Sequence, residues 1–124
     1  MVTIKSRPEY KFDRELVEKT VEGILFKNGI TDLVEVGLLV VGVPEMKKLH
    51  KKYMETDEVT DVLSFPLNTP LEFPPNLGGK PLGDIVICYP VAVQQAKANG
   101  KSVDEEMAFL AEHSCLHLLG IHHE

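Results

Sequence analysis

The sequence predicts an α+β fold, a small mixed sheet covered by helices, and three observations lead there. Short valine- and isoleucine-rich runs such as "VEVGLLVVGV" and "GDIVICYP" read as buried strands. Longer stretches repeat apolar residues at helical spacing. Along the chain the order is helix, strand, helix, strand, strand, helix, helix, with a further strand expected at "VTIKS".

Each element has its own signals. "FDRELVEKTVEGILFKNG" opens with Asp13 as a cap, repeats Leu16, Val17, Val21, Ile24 and Leu25 on one face, and stops at Asn28-Gly29. "VEVGLLVVGV", 34 to 43, is valine-rich and nearly uncharged, as a buried strand is. Pro44 suits the first turn of a second helix, "PEMKKLHKKYM". "DVLSFP", 61 to 66, and "GDIVICYP", 83 to 90, are two more strands, and Pro90 opens a helix that runs to Gly100. The last helix begins at "SVDE", where Ser102 and Glu105 have capping-box spacing. Between the two later strands lies "PLNTPLEFPPNLGGKPLG", with five prolines and three glycines. A loop of that length in a small domain is either functional or a mobile hairpin tip.

At 124 residues the chain suits one domain with a modest core, and 44% hydrophobic with 26% charged residues is the profile of a soluble protein. No apolar run is long enough to span a membrane and the N-terminus has no signal-peptide character, so the cytosol is the expected location. Cys88 and Cys115 form no CxxC pair and read as buried free thiols. The net charge of −6 means that any nucleic-acid contact must rest on a local basic patch.

The chemistry concentrates in "HSCLHLLGIHH", His113 to His123. His113 and His117 lie four apart on the last helix, about 40° apart around its axis, so their imidazoles can converge on one ion. Gly120 permits the left-handed backbone that ends a helix, and the turn can return His123 to the first two. Three imidazoles with an open fourth position is the usual arrangement of catalytic zinc. His122 is a rival for the third ligand, and Glu124 is either an acceptor for an imidazole N–H or a frayed terminus. Phe109, Leu110 and Leu116 flank the histidine face and Cys115 and Leu119 lie opposite, so the helix reads as apolar nearly all round and buried.

The spacing matches the metzincin pattern H-E-x-x-H-x-x-G-x-x-H, except that the catalytic glutamate is Ser114 here. A serine hydroxyl cannot take a proton from zinc-bound water near neutral pH, and Glu112 projects from another side of the helix. Chemistry with less need of that base fits better. RNA cleavage is one such case, since the 2′-hydroxyl is an internal nucleophile and a metal can serve as Lewis acid.

With "TDVLSFP" (60 to 66), "LGDIVI" (82 to 87) and Gln95-Ala96, the histidine motif resembles the YbeY family of bacterial metal-dependent endoribonucleases. That family's signature is similar to H-G-x-L-H-L-x-G-Y-D-H. The resemblance implies a zinc-binding α+β fold with His113, His117 and His123 as ligands, one zinc per chain, and other divalent metals as substitutes. It implies single-strand-selective cleavage of RNA in ribosomal RNA maturation and ribosome quality control, with the ribosome as partner. It also implies departures. Met54 stands where the family usually has an arginine thought to contact the scissile phosphate. Ser114 replaces the family glycine, and Ile121-His122 replace tyrosine-aspartate. The family usually continues past the last histidine, so the chain is expected to be truncated or naturally short.

Lys47 with Lys51, and Lys48 with Lys52, form the dense basic cluster, expected as a phosphate-tracking strip beside the metal or as a solvated face. Asp84 reads as a base or a strand-edge carboxylate, and Ser64 as a polar contact or a satisfied hydroxyl. Three alternatives stand beside the endoribonuclease: a zinc hydrolase of another substrate, a metal-stabilised ribosome-associated binding protein, and a structural zinc site.

Overall fold

The computed structural model describes residues 2–30, 34–54, 59–66 and 80–121, apart from the side chains of Met54, Pro66, Lys80 and Pro81. Within these the order is β1 (Val2–Lys5), α1 (Arg14–Lys27), β2 (Val34–Val41), α2 (Val43–Met54), β3 (Val62–Pro66), β4 (Lys80–Cys88), α3 (Tyr89–Ala98) and α4 (Val103–Leu118). The α+β expectation holds, including the strand at "VTIKS". Most of the proline-rich segment and residues 122–124 lie outside the described residues.

The strands form one sheet in the order β1-β2-β4-β3. β1, β2 and β4 are parallel and β3 is antiparallel to β4, so the sheet is mixed. Alternation along the strands divides the core in two. Val36, Leu38 and Val40 of β2 and Ile85 and Ile87 of β4 face α1 and α4, with Val17, Val21, Met107, Leu110, Ala111 and Cys115 completing that layer. Val41, Val86, Cys88, Leu63 and Phe65 face the other way and pack on Met46 of α2.

β4 begins three residues earlier than the sequence suggests. Glu35 pairs with Pro81 but Val36 pairs with Gly83, so Leu82 is an extra residue and the strand bulges there. Gly83 takes φ 153°, and a bulge tolerates the neighbouring proline that a regular ladder would not.

The helix ends are made by the predicted residues. Asp13 accepts the Leu16 N–H at 3.0 Å, and its own N–H donates to Asp104 of α4 at 2.8 Å, which ties the starts of α1 and α4 together. Ser102 and Glu105 form both bonds of the capping box, at 3.1 and 2.9 Å. One expectation for α1 fails: Leu16 is 38% exposed. Val17, Val21, Ile24 and Leu25 fill the contact with the sheet and α4, and Leu16 lies at its margin.

Both cysteines are buried free thiols on opposite faces of the sheet, Cys115 in one layer and Cys88 in the other. Burial pushes the Cys115 thiol up to about 11 and raises that of Cys88 as well. Native protein at pH 8 should therefore resist a thiol reagent, and both cysteines should react at once in denaturant. Rapid native labelling of either would contradict this packing.

Asp84 pairs with Phe65 in the antiparallel register, which places it on the α2 face, and burial raises its carboxyl above the usual range. A raised folded-state value means that Asp84 favours folding most below the unfolded carboxylate value of about 3.9, and that this help disappears as pH rises through the folded value. Asp84→Asn should then stabilise the protein at neutral pH in urea unfolding, with the gain shrinking as pH falls through the carboxylate range. A gain that is the same at both ends would rule out desolvation as its cause.

Candidate active site

α4 and the edge strand β3 enclose a cleft of about 460 Å³, lined by Asp61 to Ser64 on one side and by Phe109, Leu110, His113, Ser114 and His117 on the other. Met107, Leu110, Ala111 and Cys115 are buried in the larger core, which leaves the line of Phe109, His113 and His117 to emerge at the cleft. The helix is thus not buried all round, as its composition suggests: Phe109 is 51% exposed and the two histidines are half-buried.

The imidazoles of His113 and His117 stand side by side, ring centroids 4.6 Å apart and tilted by 48°. A tetrahedral zinc with bonds of about 2.0–2.1 Å separates two ligand nitrogens by roughly 3.4 Å, so rings at this spacing can share an ion. Two imidazoles at the wall of an open cleft suit such a centre chemically. The third expected ligand, His123, its rival His122 and Glu124 lie outside the described residues, and no group of three or more metal-binding side chains occurs among the described ones.

Gly120 behaves as predicted. It takes φ 79°, and the Ile121 N–H donates to the Leu116 carbonyl at 2.9 Å while the Gly120 N–H donates to that of His117 at 3.0 Å. This double closure turns the chain immediately after the histidine pair.

Ser114 is fully buried where α4 crosses β3. Its hydroxyl lies in close hydrogen-bond contact with that of Ser64, whose Oγ also donates to the Ser114 carbonyl at 3.4 Å. Ser64 is therefore a satisfied hydroxyl at the floor of the cleft. The carboxylate in the wall among the described residues is Asp61, the first residue of "DVLSFP". Its Oδ1 accepts the Val62 N–H at 2.8 Å and the Thr60 hydroxyl at 3.2 Å, and its carbonyl accepts the Cys88 N–H at 2.8 Å. An aspartate just before a strand looks like an ordinary turn residue, so nothing in the sequence marks it.

Two other expectations need correction. Asp84 is on the sheet face away from the histidines and is no base for them. Lys47, Lys48, Lys51 and Lys52 belong to α2, which packs on that same far face through Met46, Leu49 and Tyr53, and none of them lines the histidine cleft. Lys48 lines a different groove, with Lys5, Arg7 and Leu39. Met54 is the last residue of α2, and its side chain lies outside the described set.

The family profile described as Endoribonuclease YbeY matches residues 3–124. A protein of that name from Acinetobacter baumannii is 40% identical over 117 residues, covering 94% of this chain and 74% of its own. Another from Finegoldia magna is 39% identical, covering 99% of this chain and 80% of its own. The solution structure of TM1509 from Thermotoga maritima aligns with all of this chain and 75% of that one, at a TM-score of 0.63 and 25% identity. On the match along its length and on these relatives, the chain belongs to the YbeY family.

Proposed function

We propose that the chain is a zinc-dependent endoribonuclease, selective for single strands, that acts in ribosomal RNA maturation and ribosome quality control in the cytoplasm. The observation that carries the reading is the juxtaposition of His113 and His117 at 4.6 Å in the wall of an open cleft. The relatives' name, Endoribonuclease YbeY, supplies the substrate class. His113, His117 and His123 would hold one zinc per chain, with other divalent ions as substitutes. Bound there, the ion supplies Lewis acidity toward a phosphoryl oxygen.

The side chains of this protein supply the rest. The two imidazoles line the cleft, and Leu110 with the Ser64–Ser114 contact forms its floor. Asp61, the one carboxylate in the wall among the described residues, is the candidate acceptor for the proton of an attacking 2′-hydroxyl. The lysines of α2 stand on the other sheet face and are assigned no part in the cleavage step.

A peptidase reading finds no support in Ser114. The residue that would have to be a glutamate is packed against β3 with no exposure to the cleft solvent. Ser114→Glu would force a carboxylate into that contact. It should cost roughly 2–5 kcal/mol in urea unfolding and yield no peptide hydrolysis. A stable variant that cleaves casein would refute this account of the position.

Cleavage of a single-stranded RNA should stop on chelation and return with zinc. His117→Ala should lower it by more than the roughly 10- to 100-fold that loss of an outer partner of a metal site costs. Elemental analysis should find one zinc per wild-type chain. Chelator-resistant RNA cleavage would overturn the metal reading. Bound zinc without cleavage of any RNA would favour a metal-stabilised binding protein.

A further inference from the structure

Phe109, His113 and His117 follow one another at one-turn intervals along α4, so the His113 imidazole stands between a phenyl ring and a second imidazole. Among the described residues these are its ring contacts, and it makes no hydrogen bond. The last torsion of a histidine side chain is broad and roughly two-fold, so such a ring turns unless its neighbours restrain it. The His117 ring is tilted by 48°, whereas the Phe109 plane lies within 19° of the imidazole, centroids 6.2 Å apart. That spacing is within the range of aromatic pairs. Phe109 is itself 51% exposed, so packing holds it only in part. The Lys101 ammonium adds a second hold, 4.4 Å over the ring centroid. Lys101 is fixed at both ends. Its backbone N–H donates to the Ala96 carbonyl at 2.9 Å, and the next residue, Ser102, caps α4. Its ammonium lies 3.2 Å from Glu106 Oε1, on a side chain only 3% exposed. That oxygen has no hydrogen-bond partner among the described residues, so the contact is an electrostatic anchor.

We infer that Phe109 is a positioning residue of the metal centre: its ring sets the plane of the His113 imidazole, and Lys101, anchored on Glu106, holds that ring in place. The inference rests on the metal reading above and deepens it with residues outside the ligand set. A metal-ligating histidine ordinarily has its orientation fixed by a hydrogen bond from its other ring nitrogen to a carboxylate or carbonyl. Here a near-parallel ring takes that part. A flat neighbour restrains a flat ring as an aliphatic side chain of similar volume does not, because the contact is lost when either plane turns.

The test is the zinc affinity of the intact chain, read by competition with a chromophoric chelator, beside urea unfolding of the metal-free protein. Phe109→Ala and Phe109→Leu should each bind zinc roughly 2- to 12-fold more weakly. Phe109→Tyr keeps the ring and should match wild type. Lys101→Met combined with Glu106→Gln removes the anchor without leaving a buried carboxylate unpaired. It should weaken binding in the same direction and add nothing in the Phe109→Ala background. Wild-type affinity in Phe109→Ala would overturn the inference. So would Phe109→Leu retaining what Phe109→Ala loses, or Phe109→Tyr losing as much. A loss of affinity matched by an equal loss of metal-free stability would assign Phe109 to the fold instead. Wild-type affinity in the anchor variant would overturn the part given to Lys101 and Glu106. No zinc bound by wild type would overturn the metal reading and the positioning role with it.

Discussion

Met107, Leu110, Ala111 and Cys115 lock one side of α4 into the larger core, and the rotation of that helix decides where the chemistry of this protein sits. A helix turns by about 100° per residue, so a shift of one position would carry His113 and His117 out of the cleft together. The lock is reinforced at both ends. Asp104 holds the first turn to the start of α1, and the Gly120 turn closes the last. The two imidazoles are thereby held side by side by the fold itself.

The crossing of α4 over β3 explains a departure from the peptidase pattern in packing terms. Ser64 and Ser114 are small, and their hydroxyls bond one another where the two backbones come close. A larger residue at either position would push α4 from the strand and open the floor of the cleft. The close approach and a long side chain at 114 exclude one another, so the carboxylate of the cleft stands at the rim. Asp61 stands there because its Oδ1 is tethered to the backbone of the strand it precedes.

Local order was largely legible from the sequence. Periodicity located the helices, Asp13, Ser102 and Gly120 marked their ends, and the spacing of His113 and His117 announced a pair that the structure brings together. What was not legible depended on which face of the sheet each element covers. Alternation says that Asp84 and Ile85 point apart, but not which of them meets α4. The lysines of α2 were misplaced for the same reason. Two successive parallel connections that move the same way across a sheet ordinarily put their helices on one face. Here β1 to β2 and β2 to β4 move the same way, yet α1 and α2 lie on opposite faces. The second connection passes through β3 before reaching β4, so it is not a simple crossover and the rule does not bind it. Leu16 and the early start of β4 are smaller failures of the same kind, settled by the margin of a contact and by a bulge.

That geometry also constrains how an acidic protein could engage RNA. With a net charge of −6, the molecule as a whole repels a polyanion. The lysines of α2 belong to the helix on the other sheet face, and among the described residues the cleft wall carries a carboxylate and no lysine or arginine. Attraction at the cleft then depends on something other than cationic side chains of that wall. Glu106 is buried while its partner Lys101 is partly exposed, and stability does not account for the pair. Removing a carboxylate from water costs several kcal/mol, and an apolar pair of the same volume is often as stable or more so. As a source of free energy the pair is a poor choice. As a fixture it is effective, because Glu106 cancels the ammonium charge while holding it over Phe109.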